Sequence, residues 1–209
     1  MKFEEYYKIT IQQISEEIEK DNKVALNITP LFESPMFHEA DFFEALNDIK
    51  TNHPFALERI KDSSFIEKVI INNAEYRLYR KTLKGQTWDF FISGKEEYEL
   101  ISAFITYISR DKIIEIKGLW QIDFVVGLVK GLINNYYSKH YSVLESDSIA
   151  NSKGKKFFQK LADDYLQQGK RVIVSIKGKE IPYNLKDAES YWNSSIGVQA
   201  AEKIIIYNF

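Results

Sequence analysis

Two long runs, Leu100–Ile108 and Lys112–Ile122, are rich in isoleucine and aromatic residues and are separated only by the tight Ser109-Arg110-Asp111 turn. They read as a central β-hairpin. The next fifty residues narrow the fold further. Phe124–Ser138 reads as a helix with Val125, Leu128, Val129, Leu132 and Tyr136 on one stripe. Tyr141–Leu144 reads as a strand, Ser152–Gln168 as a helix closed by Gly169, and Arg171–Ile176 as another strand. From about Trp88 to Val174 the order is therefore strand, strand, helix, strand, helix, strand. A hairpin succeeded by helical crossovers requires both antiparallel and parallel pairing in one sheet.

Around this core the spacing predicts simpler pieces. Phe3, Tyr7, Ile11, Ile14 and Ile18 recur at helical spacing, Val24–Ile28 is a short strand closed by Pro30, and Phe42, Leu46 and Ile49 mark a second helix. His53-Pro54 breaks that helix, and Pro54–Lys61 begins another. Phe65–Ile71, Glu75–Lys81 and Thr87–Ile92 alternate as strands, with turns at Asn72-Asn73 and Lys84-Gly85. Near the end, Lys186–Trp192 reads as a short helix and Lys203–Tyr207 as a last strand. The expectation is a single domain over 1–209, mainly helical over 1–62, with a sheet core and two crossover helices over 63–209. Its class is α/β of the α+β type, a mixed, largely antiparallel central sheet with helices on both faces.

Composition excludes several chemistries. With 209 residues, 44% of them apolar, the chain can bury one good core. It has no cysteine, so disulfides, thiol nucleophiles and thiolate metal sites are absent. A formal charge of −2 predicts no nucleic-acid coat. MKFEEYYKIT lacks the basic head and apolar core of a signal peptide. The most apolar stretch, 118–133, is broken by Asp123 and Lys130 and is too short and too charged to span a bilayer. A cytoplasmic protein without a membrane partner is expected. His38, His53 and His140 have no ligand spacing, so no metal site is predicted.

Two carboxylates stand out. Glu115 lies in an otherwise apolar strand, and Asp147 comes after a strand's C-terminal end, where α/β ligands tend to bind. Either can act as a base, directly or through water. Equally, Asp147 can cap the helix that starts near Ser152, and Glu115 can face solvent. Glu115-Ile116-Lys117 places an acid and a lysine on one sheet face; with Asp89 it gives a distant alternative, a metal-dependent nuclease. Gly127 reads either as a place where a phosphate approaches the backbone or as close helix–sheet packing; for Gly131 packing is the reading. Lys153, Lys155, Lys156, Lys160, Lys170 and Arg171 read as a solvated basic face rather than a nucleic-acid site.

The element order resembles that of the GNAT acyltransferase superfamily, and three local features carry the likeness. A long strand ending Gly118-Leu119-Trp120-Gln121 leads into a helix through Phe124-Val125-Val126-Gly127. Asn151-Ser152-Lys153-Gly154-Lys155-Lys156-Phe157-Phe158 is similar to the family's second helix start. Leu144-Glu145-Ser146-Asp147, with the paired aromatics after it, is similar to GNAT-like proteins of bacteriophages. The resemblance implies acetyl-CoA or another acyl-CoA as coenzyme, with an amine or protein acceptor. It implies coenzyme contacts at Leu119, Trp120, Gln121, Val126, Gly127, Leu128, Asn151 and Phe158, with Glu115 and Asp147 catalytic. The first helix start would receive the pyrophosphate on its free N–H groups. Two positions depart from the pattern. Of the family's pyrophosphate loop only Gly127 remains among Phe124, Gly127 and Val129, and Phe158 stands where a tyrosine acid is usual. A catalytically inactive GNAT-like binding or accessory protein, with a protein partner and of phage origin, is the alternative these departures imply.

Overall fold

In the computed structural model the described residues are 47–93, 100–122, 127–147, 152–187, 191 and 202–209. The helix expected over 3–18 and the strand at 24–28 lie outside them, and of the second helix only residues 47–52, which are helical, lie within. The described elements are α1 (Pro54–Lys61), β1 (Ser64–Ile71), β2 (Ala74–Leu83), β3 (Gln86–Ser93), β4 (Leu100–Arg110), β5 (Ile113–Gln121), α2 (Leu128–Asn135), β6 (Val143–Ser146), α3 (Ser152–Gln167), β7 (Arg171–Ile176), β8 (Lys179–Pro182) and β9 (Lys203–Tyr207), with 3-10 turns at Tyr137–Lys139 and Leu185–Asp187. The strands belong to a large mixed, mostly antiparallel sheet. The chain divides into two compact units.

The first unit takes in the described residues through Thr82, those of Trp88–Phe104 and those of Gln121–Leu128. Its strands run β1-β2-β3-β4. Pro54 starts α1 at a position where a missing N–H costs nothing, and Arg59 and Lys61 sit in the last turn, where the helix dipole favours cations. The β1–β2 turn has positive φ at both Asn72 and Asn73, the geometry that matches the twist of a two-residue hairpin. A bulge between Phe65 and Glu67 breaks the inward-outward alternation of β1. Trp88 stacks on Phe90 and tilts against Phe104, and Ile60, Leu78, Phe90 and Phe91 are fully buried in this unit. Asp89 is buried in this unit, and the Arg80 guanidinium meets both of its oxygens at 2.6 and 2.8 Å.

The second unit takes Leu83–Thr87, Ile105–Trp120 and the described residues of Val129–Phe209. Its strands run β4-β5-β6-β9-β7-β8. β5 and β6 are parallel, as a helical crossover demands. β9 lies between β6 and β7 and is antiparallel to both. One sheet face is apolar: Ile114, Leu144, Val174, Ile204 and Ile206 are completely buried. Phe158, Leu161, Ala162 and Tyr165 recur at helical spacing on α3 and are buried too. Gly169 ends α3 in the left-handed conformation, with Lys170 N–H bonded to the Tyr165 carbonyl and Gly169 N–H to that of Leu166.

Three expectations shift. β6 is Val143–Ser146 rather than 141–144, because Tyr141 N–H stays bonded to the Tyr137 carbonyl of the preceding turn. α2 ends at Asn135 instead of reaching Ser138, whose hydroxyl bonds back to the Asn134 carbonyl four residues earlier and accompanies the change to 3-10 winding. The helix expected over 186–192 is a 3-10 turn at Leu185–Asp187, with Tyr191 helical and residues 188–190 and 192 outside the described set. Among the described residues, no helix is long and apolar enough to cross a membrane.

Candidate functional site

In the second unit β5 outruns its parallel neighbour β6, and the end of their pairing makes a fork. Pairing between β5 and β6 runs from Ile113↔Val143 to Ile116↔Ser146. Asp147 N–H extends it by one bond, to the Ile116 carbonyl at 2.8 Å. There β6 stops, while β5 continues through Gln121. Ser146 lies at the base of the fork, fully buried, with its hydroxyl accepting the Ile204 N–H at 2.8 Å. The Ser-Asp pair therefore ties β6 to both neighbours, Ser146 to β9 and Asp147 to β5.

Alternation sends Ile114 and Ile116 to the apolar face and Glu115 and Lys117 to the other. In the parallel register Glu115 stands opposite Glu145, a like-charge pair that would repel if left alone. Cations resolve it. Lys203 Nζ lies 2.5 Å from Glu145 Oε2 and 3.8 Å from Glu115 Oε1. Lys117 Nζ lies 2.8 Å from Glu115 Oε1 and 3.2 Å from Asp147 Oδ1, and Arg110 Nη2 lies 3.0 Å from Glu115 Oε2. The two carboxylates singled out in the sequence are thus brought together through Lys117.

Glu115 is 9% exposed, so it is not the solvent-facing strand position that the sequence also allowed. Burial pushes its carboxyl up, but the Lys117 hydrogen bond and the charges of Lys203, Lys117 and Arg110 outweigh this and hold it below its ordinary value. Lys117 is held above the ordinary lysine value, chiefly by its hydrogen bond to Glu115 and, against the cost of burial, by Asp147 as well. The Asp147 side chain is 42% exposed and is the more accessible of the two acids.

Leu119, Trp120 and Gln121 lie half-buried on β5, beyond the end of β6. Gly127 stands before α2 with φ +79°, and an added Cβ there would meet nothing within 4 Å. Its glycine is required by backbone conformation, not by the tight helix–sheet packing that the sequence also allowed. Gly131 is buried within α2. Leu128 is buried and can offer only its backbone to a ligand. Phe158 is buried on α3 with its ring edge-on to Phe157 at 5.3 Å. Val126 and Asn151 lie outside the described residues.

Arg110, Glu145 and Lys203 join the cluster although their local sequence does not mark them as site residues. Lys117 enters it as an ion-pair partner of two acids. The one local signal is the alternation that puts Lys117 on the Glu115 face. Lys156 and Lys160 are exposed, Lys155 and Lys170 are half-buried, and Arg171 lies over the Tyr207 ring at 4.9 Å. His53 packs edge-on against Phe104; burial lowers its pKa, with Asp48 opposing. No group of three or more His, Cys, Asp or Glu among the described residues could hold a metal ion. In comparisons with known proteins, the chain matches no family model and no curated sequence.

Proposed function

We propose that the chain is a GNAT-like acyltransferase that takes acyl-CoA at the β5–β6 fork and passes its acyl group to an amine. The observation that carries this reading is the fork itself. A long strand outruns its parallel neighbour, and two carboxylates and a lysine stand about the end of their pairing. A thioester laid along β5 beyond Ile116 would lie next to Asp147.

Acetyl-CoA would supply an activated thioester. The amine nitrogen attacks its carbonyl carbon, the C–N bond forms, and the C–S bond breaks. A carboxylate accepts the proton lost by nitrogen, and the sulfur leaves as a thiolate that water protonates. A water-protonated thiolate accommodates Phe158, which has no proton to give and lies in the core.

A second reading, a GNAT-like binding or accessory protein without catalysis, draws on two observations. Phe158 is buried, and both oxygens of Glu115 are engaged by cations. The nuclease alternative has less support, since the Lys117 ammonium already stands between Glu115 and Asp147, and Arg80 holds Asp89.

Thermal-shift titration with acetyl-CoA tests the leading reading. A coenzyme at a hundred times its dissociation constant adds about 2.7 kcal/mol of stability. Binding together with acetylation of a panel of amines supports the transferase, and binding alone supports the accessory protein. The absence of any shift at millimolar acetyl-CoA would sink the transferase and leave the accessory protein.

A further inference from the structure

We propose that Lys117 is the positioning residue of the fork: it locks Glu115 in place as a fixed counter-charge and aims Asp147, the carboxylate that receives the amine's proton. The proposal rests on the acyltransferase reading and divides the roles of the two acids within it.

The division comes from what each carboxylate touches. Glu115 has Lys117 on Oε1, with Lys203 farther off on the same oxygen, and Arg110 on Oε2. To take a proton it would have to give up an ion pair with one of these three cations, so it serves as an anchor. Asp147 differs in two ways. Its backbone is fixed by the N–H bond to the Ile116 carbonyl, next to Ser146 with its own bond to Ile204. Its side chain leaves the cluster toward solvent and is tied there by the Lys117 ammonium at 3.2 Å. Lys117 therefore links the anchored acid to the accessible one. An ammonium carries three donors, and these two carboxylates take two of them.

The charged groups facing Lys117 are Glu115 on its own strand and Asp147 after β6. Behind Glu115 stand Arg110 of β4 and Lys203 of β9, and Glu145 of β6 is paired to Lys203. Removing the Lys117 charge would leave Arg110 and Lys203 on Glu115 but would take the lysine away from Asp147.

The test compares wild type, Lys117→Met and Lys117→Arg. Carbon-detected NMR follows the carboxyl titration of Glu115, and kcat and KM for acetyl-CoA are measured alongside it. In Lys117→Met the Glu115 midpoint should rise, kcat should fall about a hundredfold from misplacement of the base, and KM should change little. Lys117→Arg, which keeps the charge, should restore the midpoint and part of kcat. An unchanged Glu115 midpoint or an unchanged kcat in Lys117→Met would overturn the proposal while leaving acyl transfer intact. Should Lys117→Met fail to fold, Asp147→Asn decides: a loss of kcat with the Glu115 midpoint unmoved supports the division of roles, and an unchanged kcat overturns it. A wild type that does not respond to acetyl-CoA overturns the acyltransferase reading itself, and this role for Lys117 with it.

Discussion

Ser146 and Ile204 lie 58 positions apart, yet the hydroxyl of one accepts the backbone N–H of the other at 2.8 Å in the buried base of the fork. A side chain here completes what is otherwise a backbone ladder between β6 and β9. Ser146→Ala would leave the Ile204 N–H buried without this acceptor, at a cost of about 1–3 kcal/mol. Urea unfolding should show a lower midpoint with an unchanged slope. A midpoint equal to wild type would mean that another group accepts this N–H.

Gly118 gives a second prediction. A Cβ built on it would come within 2.8 Å of the buried Thr106 Oγ1 on β4. Gly118→Ala should therefore cost about 1–3 kcal/mol by overpacking. Adding Thr106→Ala should recover part of that loss, and a double-mutant cycle measures how much. Strict additivity would show that the contact is not the cause.

The charge cluster predicts how stability responds to pH. The folded state holds Glu115 below its ordinary value, so the unfolded chain binds its proton more readily. The stabilisation is complete above the ordinary carboxylate range and is lost as pH falls through the depressed folded value. Lys117 is held above its ordinary value, so its contribution is complete below that value and is lost as pH rises through the raised one. Melting temperature against pH should fall at both ends. In Glu115→Gln both limbs should flatten, and an unaltered acid limb would contradict the assignment.

Tyr165 makes the alkaline limb specific. Burial, with the Asp164 charge next to it, pushes its phenol up to about 12, and its hydroxyl donates to Asn134 Oδ1 at 2.7 Å. The unfolded phenol ionises near its ordinary value, so this contribution is present below about 10 and is lost as pH climbs toward the folded value. Tyr76 and Tyr191 are raised as well, so ultraviolet titration should show several late tyrosinates, and Tyr165→Phe should remove one of them.

Much of the fold is legible because it is local. The Lys203–Tyr207 and Arg171–Ile176 strands and the Pro54–Lys61 helix appear with the same bounds in sequence and structure. Asn72-Asn73 and Lys84-Gly85 form the turns their residue types suggest. The same Lys-Gly dipeptide recurs at Lys177-Gly178, with positive φ at both residues, and turns β7 into β8. That hairpin is hard to read because β8 has four residues and ends at Pro182, which argues against a strand except at an edge. Of the site, the shared face of Glu115 and Lys117 is visible as a spacing of two. Lys203 is not, because its place beside Glu145 depends on the β6–β9 register, and nothing local encodes a pairing that distant. Arg110 reads as part of a turn, whereas β4 runs through it and the turn falls at Asp111.

The insertion of β9 between β6 and β7 has a consequence for how the chain is made. Those two strands emerge from a ribosome well before their shared neighbour, and each must wait with an edge unpaired until residues 203–207 arrive. Closing that gap joins segments far apart in sequence, the kind of contact that slows folding most. The second unit is therefore complete only after Tyr207 has been synthesised, and a nascent chain halted earlier would present two open strand edges to its surroundings or to a chaperone.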